Sequence, residues 1–241
     1  MNELSVVVPC VSTAEMLPGF IDKLAVYLMS NPGEIDVIVV ANEGVESAQK
    51  LAHYVQEKYP WLRFEMLRRK GAVRNYGALA RFGIAYSTSH YVVLVSPYGE
   101  DDVSIIKPML KKMREGRQMV QAITRFSRAE TEPKQIIFNI YRSVFRFMAR
   151  LMVGVRIQSA TNTFKMFDRV FVQAVGLTQN GHTICPEITL KVLLAGGGVD
   201  YIYSNLDSQP VNKDFKVYKE GIHYFWLLLR GLMHRTGILW F

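Results

Sequence analysis

Three consecutive carboxylates, Glu100, Asp101 and Asp102, follow an apolar run, Tyr91-Val-Val-Leu-Val95, and precede a helix that the pattern starts at Val103 and ends near Glu115. A carboxylate placed there can take a proton from an attacking hydroxyl, help hold a hard cation, or accept the free N–H groups of the helix start. A metal site needs several oxygen ligands, and Ser96 and Tyr98 at the strand end are poor substitutes for carboxylates. Asp101 is read as a cap, as a group acting on substrate or, with its neighbours, as a relocated metal site. Cations are the other chemically suggestive set. Lys70 and Arg74 fall between a third strand and its helix, and Arg125 and Arg128 come just after a fifth strand. Arginine grips phosphate oxygens through two N–H groups at once, and lysine adds a point charge, so these residues suit a leaving phosphate. Solvated charges flanking the elements are the alternative.

The charge is unevenly spread. The chain of 241 residues carries a net +8, yet residues 107–156 alone hold twelve Lys/Arg against three acids. Such clustering points to an anionic partner, whether a phosphate-bearing substrate, an anionic membrane surface or nucleic acid. Nucleic acid is set aside, because 49% of residues are hydrophobic and no binding module is legible. Within the basic window, residues 135–153 read as a helix with Arg142, Arg146 and Arg150 at i, i+4 and i+8 beside many Ile, Phe, Met and Leu residues. A cationic stripe beside a broad apolar face suits a helix lying in the plane of lipid headgroups. The segment 218–241 adds Tyr224, Phe225, Trp226, Trp240 and Phe241 with Arg230, His234 and Arg235. Packing on the core or an oligomer interface is the competing use of both helices. No apolar run reaches the roughly 18–20 residues that cross a bilayer. The N-terminus lacks a basic region before its first apolar strand, so no secretory signal is expected. Cys10 and Cys185 make no disulfide framework and are read as reduced thiols. The five histidines show no ligand spacing, and His182 near Cys185 is read as a loop and packing residue.

These residues must be positioned by alternating elements. Strands are expected at 4–9, 35–41, 62–67 and 91–95, with helices at about 14–30, 46–58 and 74–86 between them. Short β-rich runs separated by helical periodicity mean an α/β sheet, largely parallel and covered on both faces. Ligands bind such sheets outside the carboxyl ends of the strands, which gathers 9–13, 41–44, 70–74 and 96–102 around one crevice.

The order of these motifs resembles the family-2 glycosyltransferases of GT-A fold, especially the dolichyl- or polyprenyl-phosphate sugar transferases. Val6-Val-Val-Pro-Cys-Val-Ser-Thr-Ala-Glu-Met-Leu-Pro18 is similar to that family's opening strand and loop. Gly77-Ala-Leu-Ala-Arg-Phe-Gly83 resembles its glycine-bearing helix, and Val120-Gln-Ala-Ile-Thr-Arg-Phe-Ser-Arg128 its strand ending in Arg-x-x-Arg. Thr163-Phe-Lys-Met-Phe-Asp-Arg169, Glu187 in Cys-Pro-Glu-Ile, and Lys216 match the downstream pattern. The resemblance implies a Rossmann-like, mostly parallel sheet covered by helices over 1–215, including the interfacial helix 135–153, with an amphipathic C-terminal helix at 216–241. It also implies a nucleotide-sugar donor, and a lipid-phosphate or glycan acceptor.

The departures are orderly. Where the family has Asn-Glu the chain has Ser12-Thr13, and the Asp-Asp that contacts base and ribose is Ala41-Asn42. The Asp-x-Asp metal motif is Ser96-Pro97-Tyr98, and the Asp before the Gly-Phe-Arg segment is Ser159. The usual Mg²⁺ or Mn²⁺ site is thus lost, and no metal or other cofactor is expected. The resemblance assigns catalysis to Asp101, Arg125 and Arg128, and substrate contacts to Pro9, Ser12, Asn42, Lys70, Arg74, Ser96, Tyr98, Lys165, Glu187 and Lys216. The function so implied is sugar transfer at the inner, cytoplasmic face of a membrane, by a peripheral enzyme working alone or as a homo- or hetero-oligomer. The alternative is a catalytically inactive relative that serves as a binding or scaffold subunit of a glycan-assembly complex.

Overall fold

The structure, a computed structural model, describes residues 2–11, 17–29, 35–42, 46–70, 75–97, 101–125, 133–154, 157–207 and 217–238. Seven strands form one sheet: β1 (Leu4–Cys10), β2 (Ile35–Asn42), β3 (Arg63–Arg69), β4 (Tyr91–Leu94), β5 (Met119–Arg125), β6 (Lys165–Asp168) and β7 (Val199–Asp207). Their order is β3-β2-β1-β4-β6-β5-β7. Only β6 runs against its neighbours, pairing antiparallel with β4 and β5, while β5 and β7 return to the parallel sense. The sheet is thus the mostly parallel, Rossmann-like one that the alternation of elements implies.

Both faces are covered, which explains why β1 reads as an unbroken apolar run. Val6 and Val8 join the core beneath α1 (Leu17–Leu28), α2 (Glu46–Lys58) and α4 (Ile106–Arg114). Val7 faces the other way, toward α3 (Tyr76–Tyr86) and α7 (Ile184–Leu194). Helix α1 buries Leu17, Phe20, Ile21, Leu24 and Leu28, one stripe at helical spacing. Helix α3 lies close on the sheet through Gly83, where an added Cβ would stand 2.5 Å from Val7 Cγ1 and 2.9 Å from Val40 Cγ2. Short helix α6 (Arg169–Val175) follows β6, its start capped by Asp168, which accepts the N–H of Phe171 at 2.8 Å.

Helices α5 (Pro133–Val153) and α8 (Val217–Arg235) pack together over α7. Phe145, Ala149 and Met152 of α5 meet Tyr224 and Leu227 of α8 and Leu190 of α7 in a third core. Phe145 and Tyr224 make an edge-to-face pair at 5.3 Å, and the Arg235 guanidinium donates to the carbonyls of Leu151 and Met152 at 2.5 and 2.9 Å. A cation there satisfies the orphan carbonyls at the end of α5 and complements its dipole. Helix α5 starts two residues earlier than its pattern suggests, because proline at the first helical position loses no hydrogen bond. Helix α8 stops short of 241. Gly237 takes φ of 76°, and Gly237 and Ile238 donate back to His234 and Met233 at 3.0 and 2.9 Å, a glycine-terminated cap. Among the described residues, no helix is long and apolar enough to cross a membrane.

Candidate active site

The carboxyl ends of β1, β2 and β4 lie side by side at the centre of the sheet. Pro9 pairs in register with Val40, and Cys10 with Ala41. Asn42 follows at the end of β2 and is only 5% exposed. Its Nδ2 donates to the carbonyl of Val11 at 3.3 Å, whereas its Oδ1 has no partner among the described residues. An unmet buried acceptor costs roughly 1–3 kcal/mol, which a ligand N–H or O–H placed there would recover.

After β4 the chain turns. The N–H of Ser96, itself buried, donates to Asp101 Oδ2 at 2.6 Å, so this carboxylate is folded back on the strand end. Asp102 caps the 3-10 turn Val103–Ile105 through the N–H of Ser104 at 3.1 Å, and its other oxygen accepts the N–H of Asn205 at 2.9 Å. Burial pushes the Asp102 carboxyl up, but the hydrogen bonds from Ser104 and Asn205 together outweigh it and hold the group below its usual value. Both carboxylates thus hold backbone. Among the described residues no three His, Cys, Asp or Glu side chains cluster as a metal site would require. Ser96 and Tyr98 offer no carboxylate at the positions that the resemblance gives to the metal motif.

The cationic set is only partly described. Lys70 is exposed just beyond β3, and Arg125 closes β5 in register with Asp207 of β7. Five strand spacings separate β3 from β5, and at about 4.8 Å per spacing their ends lie roughly 24 Å apart. Lys70 and the backbone of Arg125 therefore stand at opposite halves of the carboxyl edge. Ser12, Arg74, Tyr98, Arg128 and Lys216 lie outside the described residues.

Two expected substrate contacts are interior. Lys165, in β6, has no exposed surface. Its ammonium donates to the carbonyls of Cys185 and Ala160 at 2.5 and 3.4 Å and to Thr189 Oγ1 at 2.9 Å, which occupies its three N–H donors. Burial pushes its pKa down to about 8, with the Cys185 thiol acting in the opposite direction. Thr189 also meets Gln121, and Gln121 meets Ser159, so the lysine ties β6, β5, α7 and the 157–164 segment into one polar knot.

Glu187, in α7, is equally buried. It accepts from the N–H and hydroxyl of Thr178 at 2.9 and 2.7 Å and from the N–H of Gln179 at 3.0 Å, with the Lys191 ammonium 3.2 Å away. The loop so held closes on the start of α3. Asn180 accepts the N–H of Ala78 at 3.0 Å, the His182 ring stacks on Tyr76 at 4.8 Å, and the Gly181 carbonyl lies 2.6 Å from where a Gly77 Cβ would stand. Glu187 thus reaches the crevice through the helix that follows 71–74. Sequence reading did not find this brace, because its partners are backbone groups with no side-chain signature; the glycine at 77 was the one visible trace.

Residues 5–176 match the family model described as glycosyl transferase family 2. The fold is that of glucosyl-3-phosphoglycerate synthase from Mycobacterium tuberculosis. Its complex with UDP superposes with a TM-score of 0.65 at 15% identity, covering 99% of this chain and 81% of that one. Its complex with Mn²⁺, UDP and glucosyl-3-phosphoglycerate gives 0.64 at 14% identity, covering 99% and 81%. A further mycobacterial protein gives 0.70 at 14% identity, covering 99% and 76%. No curated protein sequence matches. Identities this low establish the fold alone, but the family match spans most of the chain and includes β1 through β6: the protein belongs to glycosyl transferase family 2.

Proposed function

We propose that the protein transfers a sugar from a nucleotide-sugar donor to a polyprenyl phosphate or another envelope-glycan acceptor at a membrane surface, without an Asp-x-Asp metal site. The observation that carries this reading is the buried Oδ1 of Asn42 at the end of β2, which meets no partner among the described residues, beside a β4 end where Asp101 and Asp102 accept backbone N–H groups. In this reading the nucleotide lies over Pro9, Ser12 and Asn42, with Ser96 and Tyr98 beneath the sugar. Lys70, Arg74 and Lys216 are the candidate cationic contacts to substrate, and Arg125 and Arg128 the candidate catalytic cations, as the resemblance implies. Lys165 and Glu187 support the site from behind.

The chemistry suits this reading. An acceptor phosphate oxygen, already anionic at neutral pH, forms the bond to the anomeric carbon. The bond from that carbon to the donor phosphate oxygen breaks, and its electron pair leaves with the nucleotide. No proton has to be removed from the nucleophile, so the site works with Asp101 held as a turn clamp. Lys and Arg stabilise the departing charge in place of a dication. A donor with one phosphate, such as a CMP-sugar, lowers that demand further. A crystal structure of the mycobacterial synthase holds Mn²⁺, UDP and phosphoglyceric acid together, and it supports the reading to this extent: a nucleotide and a phosphorylated compound meet on the same fold there, although with a dication.

The commitment of Asp101 and Asp102 to backbone also favours a second reading, an inactive relative acting as a scaffold subunit. Incubation with labelled nucleotide-sugars and a short polyprenyl phosphate in EDTA decides between them. A glycosyl-lipid detected by mass spectrometry supports transfer, and its absence with every donor leaves the scaffold.

A further inference from the structure

We propose that the exposed face shared by α5 and α8 is a docking surface for an anionic lipid bilayer. The face is apolar where a soluble surface would be polar. On α5, Ile140, Val144, Phe147 and Leu151 project to solvent, each between 56% and 61% exposed. On α8, Ile222, Phe225, Trp226 and Leu232 do the same, between 47% and 59%. The α5 set recurs at i+4, i+3 and i+4, and on α8 Phe225 and Trp226 follow Ile222 at i+3 and i+4 with Leu232 seven residues after Phe225, so each forms one stripe along its helix. The opposite sides of the same helices supply Phe145, Ala149, Tyr224 and Leu227 to the third core, which fixes the two stripes side by side. An apolar groove of about 450 Å³ runs between them. Contiguous apolar surface of this kind marks an interaction site.

Charge selects the occupant. Helix α5 contains no Asp or Glu in Pro133–Val153. Its sequence repeats arginine at 142, 146 and 150, one helical turn apart. Arg150 is exposed, and Arg146 is anchored to the Gln158 carbonyl at 3.2 Å. A cationic line beside apolar side chains matches headgroup phosphates above acyl chains, and Trp226 suits the boundary between them. A second copy of the chain fits less well, because a twofold contact through α5 would bring two carboxylate-free arginine lines together. The bilayer would be approached without being crossed. Seven residues, 126–132, separate the end of β5 at Arg125 from the start of α5. Docking by α5 therefore brings the end of β5, with the candidate catalytic Arg125, to the lipid surface. That consequence rests on the transfer reading; the docking itself does not.

The test uses the full chain with vesicles of phosphatidylcholine alone or with phosphatidylglycerol added, read by co-sedimentation and by quenching of tryptophan with brominated acyl chains. The expected result is binding to the anionic vesicles only, with quenching. Arg150→Glu should weaken it by about tenfold. Phe147→Glu and Phe225→Glu should abolish it at unchanged melting temperature, since both side chains are exposed. Protein that stays in the supernatant with anionic vesicles overturns the proposal. So does a stable dimer that Phe147→Glu splits, which assigns the face to a second copy. Donor binding, followed by calorimetry on the same sample, is independent of both outcomes, so failure of docking and failure of the transfer reading are told apart.

Discussion

Glu187 and Thr178 are joined twice: one buried carboxylate oxygen accepts both the N–H and the hydroxyl of the threonine, at 2.9 and 2.7 Å. The pair holds the loop that closes on the start of α3, so a residue far from the crevice fixes one of its walls. Glu187→Gln keeps the shape but turns one acceptor oxygen into a donor and leaves the Lys191 ammonium buried without a counter-charge. It should cost roughly 2–4 kcal/mol in urea unfolding. Nucleotide affinity should fall further than that of a variant equally destabilised elsewhere.

The buried Lys165 sets a pH dependence with a definite sign. Its folded pKa of about 8 lies below the ordinary lysine value of 10.5, so between these values the unfolded chain binds more protons and stability rises with pH. The cost of keeping the charge buried, on the order of 3 kcal/mol, is present in full below pH 8 and is relieved above it. Lys165→Met lacks this term. The wild-type chain should therefore gain on the variant as unfolding is followed from pH 7 to about pH 9.5, below the range where tyrosines titrate. Parallel pH profiles would contradict the assignment.

Gly83 lets α3 sit on the sheet. Gly83→Ala places a methyl into Val7 and Val40, side chains of two central strands that cannot both withdraw. It should destabilise by about 1–3 kcal/mol despite alanine's better helix propensity. Gly19→Ala, in α1 with open space at the same position, should stabilise by up to about 1 kcal/mol.

Asp101 separates a clamp from a base. Asp101→Asn retains an oxygen that can accept the Ser96 N–H, so with a phosphate acceptor turnover should stay within about threefold. A general base would lose roughly 100-fold or more on the same change. Single-turnover rates in EDTA make the distinction.

Much of this architecture was readable in the sequence, and the exceptions share a cause. The α2 helix and the first four strands follow from local periodicity, and their bounds agree with the pattern to within two residues or so. The direction of β6 does not follow. Four residues, Lys-Met-Phe-Asp, have no periodicity that tells parallel from antiparallel, and the sense is set by pairing with Leu94 and Gln121, far away in the chain. Lys165 and Glu187 are expected at the substrate from the resemblance alone, and the structure buries both. What buries them is a set of backbone carbonyls and N–H groups that no residue type reveals. Strand order sets Lys70 and the end of β5 far apart along the sheet edge, a distance that the order of elements in the chain does not reveal. The sequence reading carries the last helix to 241, whereas α8 ends at Arg235, two residues before Gly237 takes a positive φ.

Binding of donor without a dication is the central claim, and a thermal-shift panel tests it most directly. UDP-, GDP-, dTDP- and CMP-sugars would each be added to the full chain in EDTA and again in Mn²⁺. One donor should raise the melting temperature equally in both, and Asn42→Leu should remove the shift. A donor that stabilises only with Mn²⁺ would contradict the account, and silence from every donor would move the protein to the scaffold reading.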